Sequence, residues 1–123
     1  MKYLAISLGG ILGANARYLI TGWAAQKFGT GFPYGTFIIN ISGALILGFF
    51  VAFVQDRAFI HTHYRLFFAT GFCGAYTTFS TFTYETLRLF QDGSVLLGMA
   101  NIAASLLVGM LGVFMGFAIG RMI

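Results

Sequence analysis

The stretch GFCGAYTTFSTFTYE, residues 71–85, decides the fold, because it brings glycines and a dense run of hydroxyls into an otherwise apolar segment. Five hydroxyl side chains fall between Thr77 and Thr83, and groups of this kind are costly to bury without hydrogen-bond partners. Gly71 and Gly74 weaken a helix just before this run, and the β-branched Thr77 and Thr78 add little helix propensity. We therefore predict that a helix begins before this stretch, breaks inside it and resumes after it.

The composition of the whole chain places this stretch in a membrane. The chain has 123 residues, of which 59% are apolar and 8% are charged, whereas soluble domains carry about 25% charged residues. Because so few charged side chains cannot cover a water-facing surface, we predict that much of the outer surface faces lipid. The 17 glycines agree with this prediction, since glycine is commoner in membrane helices than in soluble ones.

Four segments are long and apolar enough to cross a bilayer, which takes about 20 residues in a helix. They run from about Tyr3 to Ala25, from about Tyr34 to Val54, from about Tyr64 to Leu89 and from about Val95 to Gly120. We predict an all-α membrane protein with four transmembrane helices in a single domain, residues 1–123. The polar stretch lies in the third span, so that span is predicted to break near the middle of the membrane.

Small residues repeat every four positions on two of these spans. Gly9 and Gly13 do so on the first, and Gly112, Gly116 and Gly120 do so on the fourth. Glycines at this spacing line one face of a helix and let a neighbouring backbone approach closely in lipid. We predict that both faces pack against other helices.

The basic residues are scattered rather than clustered, so the net charge of +4 does not indicate a nucleic-acid-binding surface. They fall nearly evenly on the two sides of the predicted membrane: Lys2, Arg57, Arg65 and Arg121 against Lys27, Arg88 and, if it reaches the surface, Arg17. An excess of Lys and Arg on one side orients a membrane protein, and this chain has little excess. We therefore expect insertion in both orientations and an antiparallel homodimer with its two-fold axis in the membrane plane.

Three polar side chains inside the other spans are candidates for a functional site. Asn40 is near the start of the second span, and Asn101 and Ser105 are four residues apart, on one face of the fourth. Taken alone, each is as readily a hydrogen-bonding contact between helices as part of a functional site. Because the third span is predicted to break, we favour a functional site for Asn40, Asn101 and Ser105.

The predicted break combines two kinds of ion-binding group. Unwound carbonyls in mid-membrane are hard oxygen ligands that suit an alkali cation. Phe79 and Phe82 share a helix face, and the positive edge of a phenyl ring can face an anion. With the Asn40 amide and hydroxyls such as that of Thr81, these rings make a donor-rich, acceptor-poor track. Such a track suits a small anion that must be dehydrated, held and released.

These residues resemble the signature of a known family. The third-span motif, GFCG at 71–74, TTFSTF at 77–82 and Glu85, resembles that of the Fluc, or CrcB, fluoride channels. The first span, with GGILG at 9–13 and Arg17, and the second, with Gly35, Thr36, Asn40 and Gly43, resemble that family's first two spans. The resemblance covers the whole chain. The departures are Ala75, where the family often has glycine, and Asn101, where some members have tyrosine.

The resemblance implies a fluoride-selective ion channel that exports fluoride passively across the inner (cytoplasmic) membrane of the cell. It further implies an antiparallel, dual-topology homodimer with two pores and a structural sodium ion at its centre. The carbonyls implied to hold that sodium ion belong to Gly74 and Thr77 of each subunit. The residues implied to line the pore are Asn40, Phe79, Thr81, Phe82, Asn101 and Ser105, with Arg17 near the vestibule.

Three other functions compete with this one. A small multidrug exporter needs a carboxylate deep in the membrane, yet the first two spans contain no acid. A scaffold subunit needs the glycine faces but neither the hydroxyls nor the break, and an enzyme needs a nucleophile–base pair, which we do not find. Glu85, the only acid within a predicted span, is either a proton or cation carrier or a buried partner for Arg17 or for nearby hydroxyls. We favour the role of buried partner.

Overall fold

Three long apolar helices form the frame of the protein. A computed structural model describes residues 1–123 and contains helices but no strand. The long helices are α1 (Lys2–Phe28), α2 (Tyr34–Gln55) and α5 (Val95–Met122). Each is long and apolar enough to cross a membrane, since 22 residues at about 1.5 Å per residue match a hydrocarbon core of about 30 Å.

The predicted third span is two helices joined by an extended dipeptide. The first, α3 (residues 62–76), ends at Tyr76, and the second, α4 (Phe79–Gln91), follows Thr77 and Thr78. Thr77 has φ −86° and ψ 158°, and Thr78 has φ −150° and ψ 122°, so both lie in the extended region. The predicted break is confirmed, three residues beyond Gly74. The 13 residues of α4 are too few to cross a bilayer without α3.

Most of α3 is wider than an α-helix. One α-helical turn, Thr62–Arg65, leads into a π-helical segment, Leu66–Cys73, and α-helix returns over Gly74–Tyr76. A π-helix bonds each N–H to the carbonyl five residues earlier, is rare and often marks functional sites. This π-helical segment is not predictable from the sequence, because hydrophobic periodicity separates helix from strand but not one kind of helical turn from another.

The glycine face of α5 packs against α2, as predicted. A Cβ atom added to Gly116 would lie 2.9 Å from the backbone nitrogen of Phe49, and one added to Gly112 would lie 3.2 Å from the carbonyl oxygen of Ile41. The two backbones therefore touch with no side chain between them, which is how small residues join helices in lipid.

The glycine face of α1 packs against α3 in the same way. A Cβ atom on Gly9 would collide with the carbonyl oxygen of Phe67, and one on Gly13 would collide with that of Phe72. A Cβ atom on Gly71 would lie 2.6 Å from the carbonyl oxygen of Ile6. These contacts fix the depth of α3, and so of the break, relative to α1.

Two arginines close the carboxyl end of α2. Arg57 donates a hydrogen bond to the carbonyl of Phe53, while Nη2 of Arg65 donates to the carbonyls of Val54 (2.9 Å) and Arg57 (3.2 Å). The last carbonyls of a helix lack partners within it and carry partial negative charge, so cations stabilise this end. The link between α2 and α3 is thereby tied to α2.

The packed subunit leaves most of its apolar surface uncovered. Only 21 of 123 residues are buried, while Tyr3, Tyr18, Leu96 and Phe79 are each at least three-quarters exposed. A water-soluble protein rarely exposes contiguous apolar patches of this extent. Lipid or another protein chain must therefore cover this surface, as expected of a membrane protein.

Candidate functional site

Asn40 of α2 holds the break in place. Its Nδ2 donates to the carbonyl oxygen of Thr78 at 3.1 Å, and its Oδ1 accepts from the Thr78 N–H at 2.9 Å. These two bonds replace the helical bonds that Thr78 lacks, and Thr78 is buried. Because unpaired backbone groups are costly away from water, Asn40 is the partner that allows a broken helix here.

The hydroxyls of the break also serve the backbone. Thr77 Oγ1 donates to the carbonyl of Cys73 at 2.8 Å, and Thr78 Oγ1 accepts from the Thr81 N–H at 3.2 Å. The second bond is an N-cap, the usual way in which a threonine starts a helix. The threonine pair therefore ends α3 and begins α4, which explains part of the hydroxyl-rich sequence without any ligand.

Four carbonyl groups at the end of α3 remain free. The carbonyl oxygens of residues 74–77 accept no hydrogen bond within the subunit, since Thr77 bonds back to Cys73 and the Thr78 N–H is taken by Asn40. Gly74 is exposed at the surface of the subunit. Neutral carbonyl oxygens freed by an unwound helix are suitable ligands for Na⁺, so the donor groups of Gly74 and Thr77 fit that ion.

A cavity that Arg17 and four threonines help to line lies beside the start of α4. Its volume is about 390 Å³, and its lining consists of Ala14, Arg17, Tyr18, Thr21, Thr36, Ile39, Thr78 and Thr81. The lining includes four threonines and a guanidinium but no carboxylate. Arg17 forms no hydrogen bond or ion pair within the subunit, so its charge is free to act on an ion in the cavity. The N–H groups of Phe79 and Ser80, at the positive end of α4, also lack partners.

Glu85 lies in a neighbouring cavity and does not pair with Arg17. Thr36 Oγ1 donates a hydrogen bond to Glu85 Oε1, which agrees with the interpretation of Glu85 as a partner for hydroxyls. This second cavity, of about 410 Å³, is also lined by Arg88 and Asp92. Thr21 and Thr36 line both cavities, so the two are adjacent and only the second contains carboxylates.

The rings of Phe79 and Phe82 lie in a groove between α4 and α5. Their centroids are 5.9 Å apart with 49° between the ring planes. The groove has a volume of about 560 Å³ and is also lined by Ile102 and Leu106 of α5. Phe79 is 76% exposed, so within one subunit nothing covers this ring.

Asn101 and Ser105 form a hydrogen-bonded chain that leads to Phe82. Ser105 Oγ donates to Asn101 Oδ1 (3.3 Å), Asn101 Nδ2 donates to Thr86 Oγ1 (2.9 Å), and Thr86 Oγ1 donates to the carbonyl of Phe82 (2.8 Å). Asn101 is only 2% exposed. Its amide therefore joins α5 to α4 and does not line the groove.

Thr86, at the centre of this series of hydrogen bonds, was not predicted from the sequence. It lies four residues after Phe82, and that spacing, which places both residues on one face of α4, could have identified it. The structure thus gathers the predicted pore residues in two places, apart from Gly74 and Thr77 at the end of α3. Arg17 and Thr81 line the cavity beside the start of α4, with Asn40 bonded at its edge to Thr78, while Phe79 and Phe82 line the groove, with Asn101 and Ser105 behind them.

The fold and the site define a class of protein: a small helical membrane protein with free backbone groups at a broken helix. A family model described as "CrcB-like protein, Camphor Resistance (CrcB)" matches residues 4–117. The chain belongs to this CrcB family.

Its relatives carry a more specific name. One from Clostridium perfringens is 47% identical over 120 residues, covering 98% of this chain and 94% of the relative. One from Acidobacterium capsulatum is 45% identical over 123 residues, covering 100% and 98%, and one from Chloroflexus aurantiacus is 44% identical over 118 residues, covering 96% and 94%. Each of the three is named a fluoride-specific ion channel, FluC. The family resemblance drawn from the third-span motif is therefore confirmed.

Proposed function

We propose that the protein is a fluoride-specific ion channel that lets fluoride leave the cell passively across the inner (cytoplasmic) membrane. The observation that carries this proposal is the cavity of about 390 Å³ in which the unpaired Arg17 meets four threonines and no carboxylate. The Arg17 guanidinium and the hydroxyls of Thr21, Thr78 and Thr81 can donate hydrogen bonds, whereas the Thr36 hydroxyl hydrogen goes to Glu85. Because no carboxylate lines this cavity, it attracts an anion. The relatives that share the name fluoride-specific ion channel support fluoride as that anion.

The path of the anion follows from the two places where donors and ring edges gather. Arg17 forms the vestibule, and Thr81 and the N–H groups at the start of α4 receive the ion. The positive ring edges of Phe79 and Phe82 face it next. Asn40 shapes this path through Thr78, and Asn101 and Ser105 hold α4 and α5 together beside the rings. Conduction along this path requires binding favourable enough for the ion to enter and weak enough for it to leave.

The working unit is an antiparallel homodimer with one pore associated with each subunit. In this arrangement α3 and α4 together form the third of four spans, and the chain inserts in both orientations. The exposed ring of Phe79 and the exposed backbone at Gly74 support a second copy, because one subunit leaves both uncovered. A pore wall made by a single subunit would leave Phe79 in lipid.

A structural sodium ion joins the two copies at the dimer centre. The free carbonyl oxygens of Gly74 and Thr77 support this assignment, and two copies bring four such oxygens together. Replacing Na⁺ by N-methylglucamine during purification should lower the thermal stability of the dimer and slow fluoride flux. Unchanged stability and flux after exhaustive removal of Na⁺ would exclude a structural sodium ion.

Flux from liposomes tests the channel assignment. Protein reconstituted into fluoride-loaded vesicles should release fluoride, detected by a fluoride electrode, once valinomycin allows potassium to follow. Chloride release under the same gradient should be negligible. A lack of fluoride release above that of protein-free vesicles would overturn the proposal.

A pair of arginine variants links that flux to the cavity. Arg17→Gln should lower fluoride flux by roughly tenfold or more, because a fixed charge in a cleft concentrates the opposite ion by about that factor. Arg121→Gln removes the same charge from the exposed end of α5 and should leave flux nearly unchanged. Equal flux in both variants would remove Arg17 from the ion path.

A further inference from the structure

Tyr76, the last residue of α3, is a buried tyrosine whose hydroxyl reaches a neighbouring helix. Its side chain is 4% exposed, and its hydroxyl oxygen lies 2.9 Å from Oγ of Ser42 on α2. The same Oγ lies 2.7 Å from the carbonyl oxygen of Ile38, one turn earlier in α2. A serine hydroxyl has a single hydrogen to donate and a carbonyl can only accept. Ser42 therefore donates to Ile38, and Tyr76 donates to Ser42.

The position of Tyr76 is fixed by two further contacts. Phe72, one turn earlier in α3, stacks against its ring with 5.5 Å between the centroids and 13° between the ring planes. A Cβ atom added to Gly13 of α1 would lie 3.1 Å from the Tyr76 backbone nitrogen. Tyr76 is thus held at its backbone by α1, at its ring by Phe72 and at its hydroxyl by α2.

Thr77, the next residue, is anchored to the same part of α2. A Cβ atom added to Gly43 would collide with Cγ2 of Thr77 and would lie 3.7 Å from Cδ2 of Tyr76. The residue after Thr77 is the one bonded to Asn40. A single turn of α2 therefore holds the three consecutive residues at which the helix breaks.

Gly74 lies on the opposite side of α3 from Tyr76. Gly74 is exposed whereas Tyr76 is buried, since residues two apart in a helix point to different faces. Anchoring Tyr76 to α2 therefore leaves the Gly74 face open toward a second copy. The free carbonyls of Gly74 and Thr77 lie on either side of Tyr76 in the chain, so the position of Tyr76 relative to α2 sets the place of both oxygens.

We propose that Tyr76 is a positioning residue for the sodium ion: its hydrogen bond to Ser42 fixes the break so that the carbonyls of Gly74 and Thr77 reach the ion at the dimer centre. A metal site needs its ligands held within about 0.5 Å, which packing and hydrogen bonds behind the ligands achieve. This inference rests on the sodium ion and the dimer proposed above, and it adds the side chain that holds the ligands.

Sodium binding by the purified dimer tests this role. Equilibrium dialysis against a series of NaCl concentrations, with N-methylglucamine chloride keeping the ionic strength constant, gives the concentration that half-fills the site; flame emission counts the bound Na⁺. Tyr76→Phe should raise this concentration roughly threefold, the average effect of one hydrogen bond between membrane helices. Tyr64→Phe is the matched control, because Tyr64 is an exposed tyrosine at the start of α3, and it should leave the concentration unchanged.

Ser42 variants show whether the two hydroxyls act as a pair. Ser42→Ala should weaken Na⁺ binding more than Tyr76→Phe does, because it leaves the buried Tyr76 hydroxyl without an acceptor, whereas Tyr76→Phe leaves Ser42 bonded to Ile38. The double variant should bind Na⁺ more tightly than Ser42→Ala alone, since no buried hydroxyl is then unpaired. Further weakening in the double variant would mean that the two hydroxyls act separately, and would overturn the proposal.

Fluoride flux from liposomes provides the second readout. Tyr76→Phe should conduct less than the unmodified protein at low Na⁺ and equally at saturating Na⁺, because the path of the anion is unchanged. A deficit that saturating Na⁺ does not relieve, or an unchanged half-filling concentration, would assign Tyr76 to packing alone and overturn the proposal while the fluoride channel stands. An unmodified dimer that conducts fluoride but binds no Na⁺ would refute the sodium site and this inference with it.

Discussion

Asn40 shows how one side chain makes a broken helix possible. A helix interrupted inside a membrane exposes backbone groups that water cannot reach, and at Thr78 both of these groups are bonded to the same amide. The residue that the family resemblance assigns to the pore is therefore also a structural element. The two bonds from Asn40 to the Thr78 backbone support the break whether or not the Asn40 side chain also contacts an ion.

Asn40→Ala should destabilise the protein by roughly 1–3 kcal/mol, the cost of leaving a buried polar group unpaired. Thermal unfolding in detergent measures this effect, with fluoride flux recorded in parallel. Thr83→Ala is the control, because the exposed Thr83 hydroxyl bonds only to Ser80, three residues earlier in its own helix. Equal melting temperatures for the two variants would show that Asn40 does not support the break.

Phe79 and Phe82 provide the second test at the scale of single residues. Isoleucine keeps much of the apolar volume but has no aromatic edge, so Phe79→Ile and Phe82→Ile should each impair fluoride flux while the dimer remains intact. Flux assays and size-exclusion chromatography measure the two properties. Leu107→Ile changes an exposed α5 side chain that does not line the groove, and it should change neither property. Normal flux in both phenylalanine variants would assign the rings to packing alone.

Among the helices, α5 is regular along its whole length, whereas the third segment, α3 and α4, is irregular. The glycines of α5 let its backbone touch α2, which makes α2 and α5 a rigid pair. The third segment is instead π-helical, then extended, then α-helical. Regular helices therefore frame an irregular one, and the irregular one supplies the free carbonyls and N–H groups that can meet ions.

Two alanine substitutions on α5 test this packing. Gly116→Ala should lower stability by roughly 1–3 kcal/mol, the usual cost of overpacking, because its Cβ atom would lie 2.9 Å from the Phe49 backbone nitrogen. Gly109→Ala should be neutral or slightly stabilising, since its Cβ atom would meet only Ile41 Cδ1, at 3.7 Å. Thermal unfolding compares the two. A Gly116→Ala variant as stable as Gly109→Ala would mean that α2 and α5 are farther apart.

At the scale of the whole molecule, the proposed dimer depends on how each chain is oriented in the membrane. The basic residues are divided almost evenly between the two ends of the helices, so neither orientation is strongly favoured during insertion. An antiparallel dimer needs both orientations. The exposed Phe79, the free carbonyls near Gly74 and the uncovered face of α1 all require a second chain or lipid.

Topology reporters fused to the carboxyl terminus should detect both orientations. A reporter active only in the cytoplasm and one active only outside it should each give a substantial signal. Adding two lysines to the loop at 56–60 should bias the chain to one orientation and lower flux, because it increases the charge difference between the two sides. A single orientation for the unmodified chain would exclude the antiparallel dimer.

The class of the protein and the location of its break could be predicted from local properties of the sequence. Composition indicated a membrane, apolar length indicated the helices, and the glycines and threonines of residues 71–85 indicated an interruption. These properties depend on propensity and transfer free energy, which act residue by residue. The family motif lies in the same stretch, so it too could be found without coordinates.

Only the tertiary structure decided which polar groups meet. Asn101 bonds to Thr86 rather than facing the groove, Thr36 rather than Arg17 reaches Glu85, and Asn40 bonds to both backbone groups of Thr78. Each pair joins helices whose residues lie 15 to 49 positions apart. Which faces of these helices meet depends on the close packing of glycine surfaces between distant segments, and helical periodicity within one segment does not contain that information.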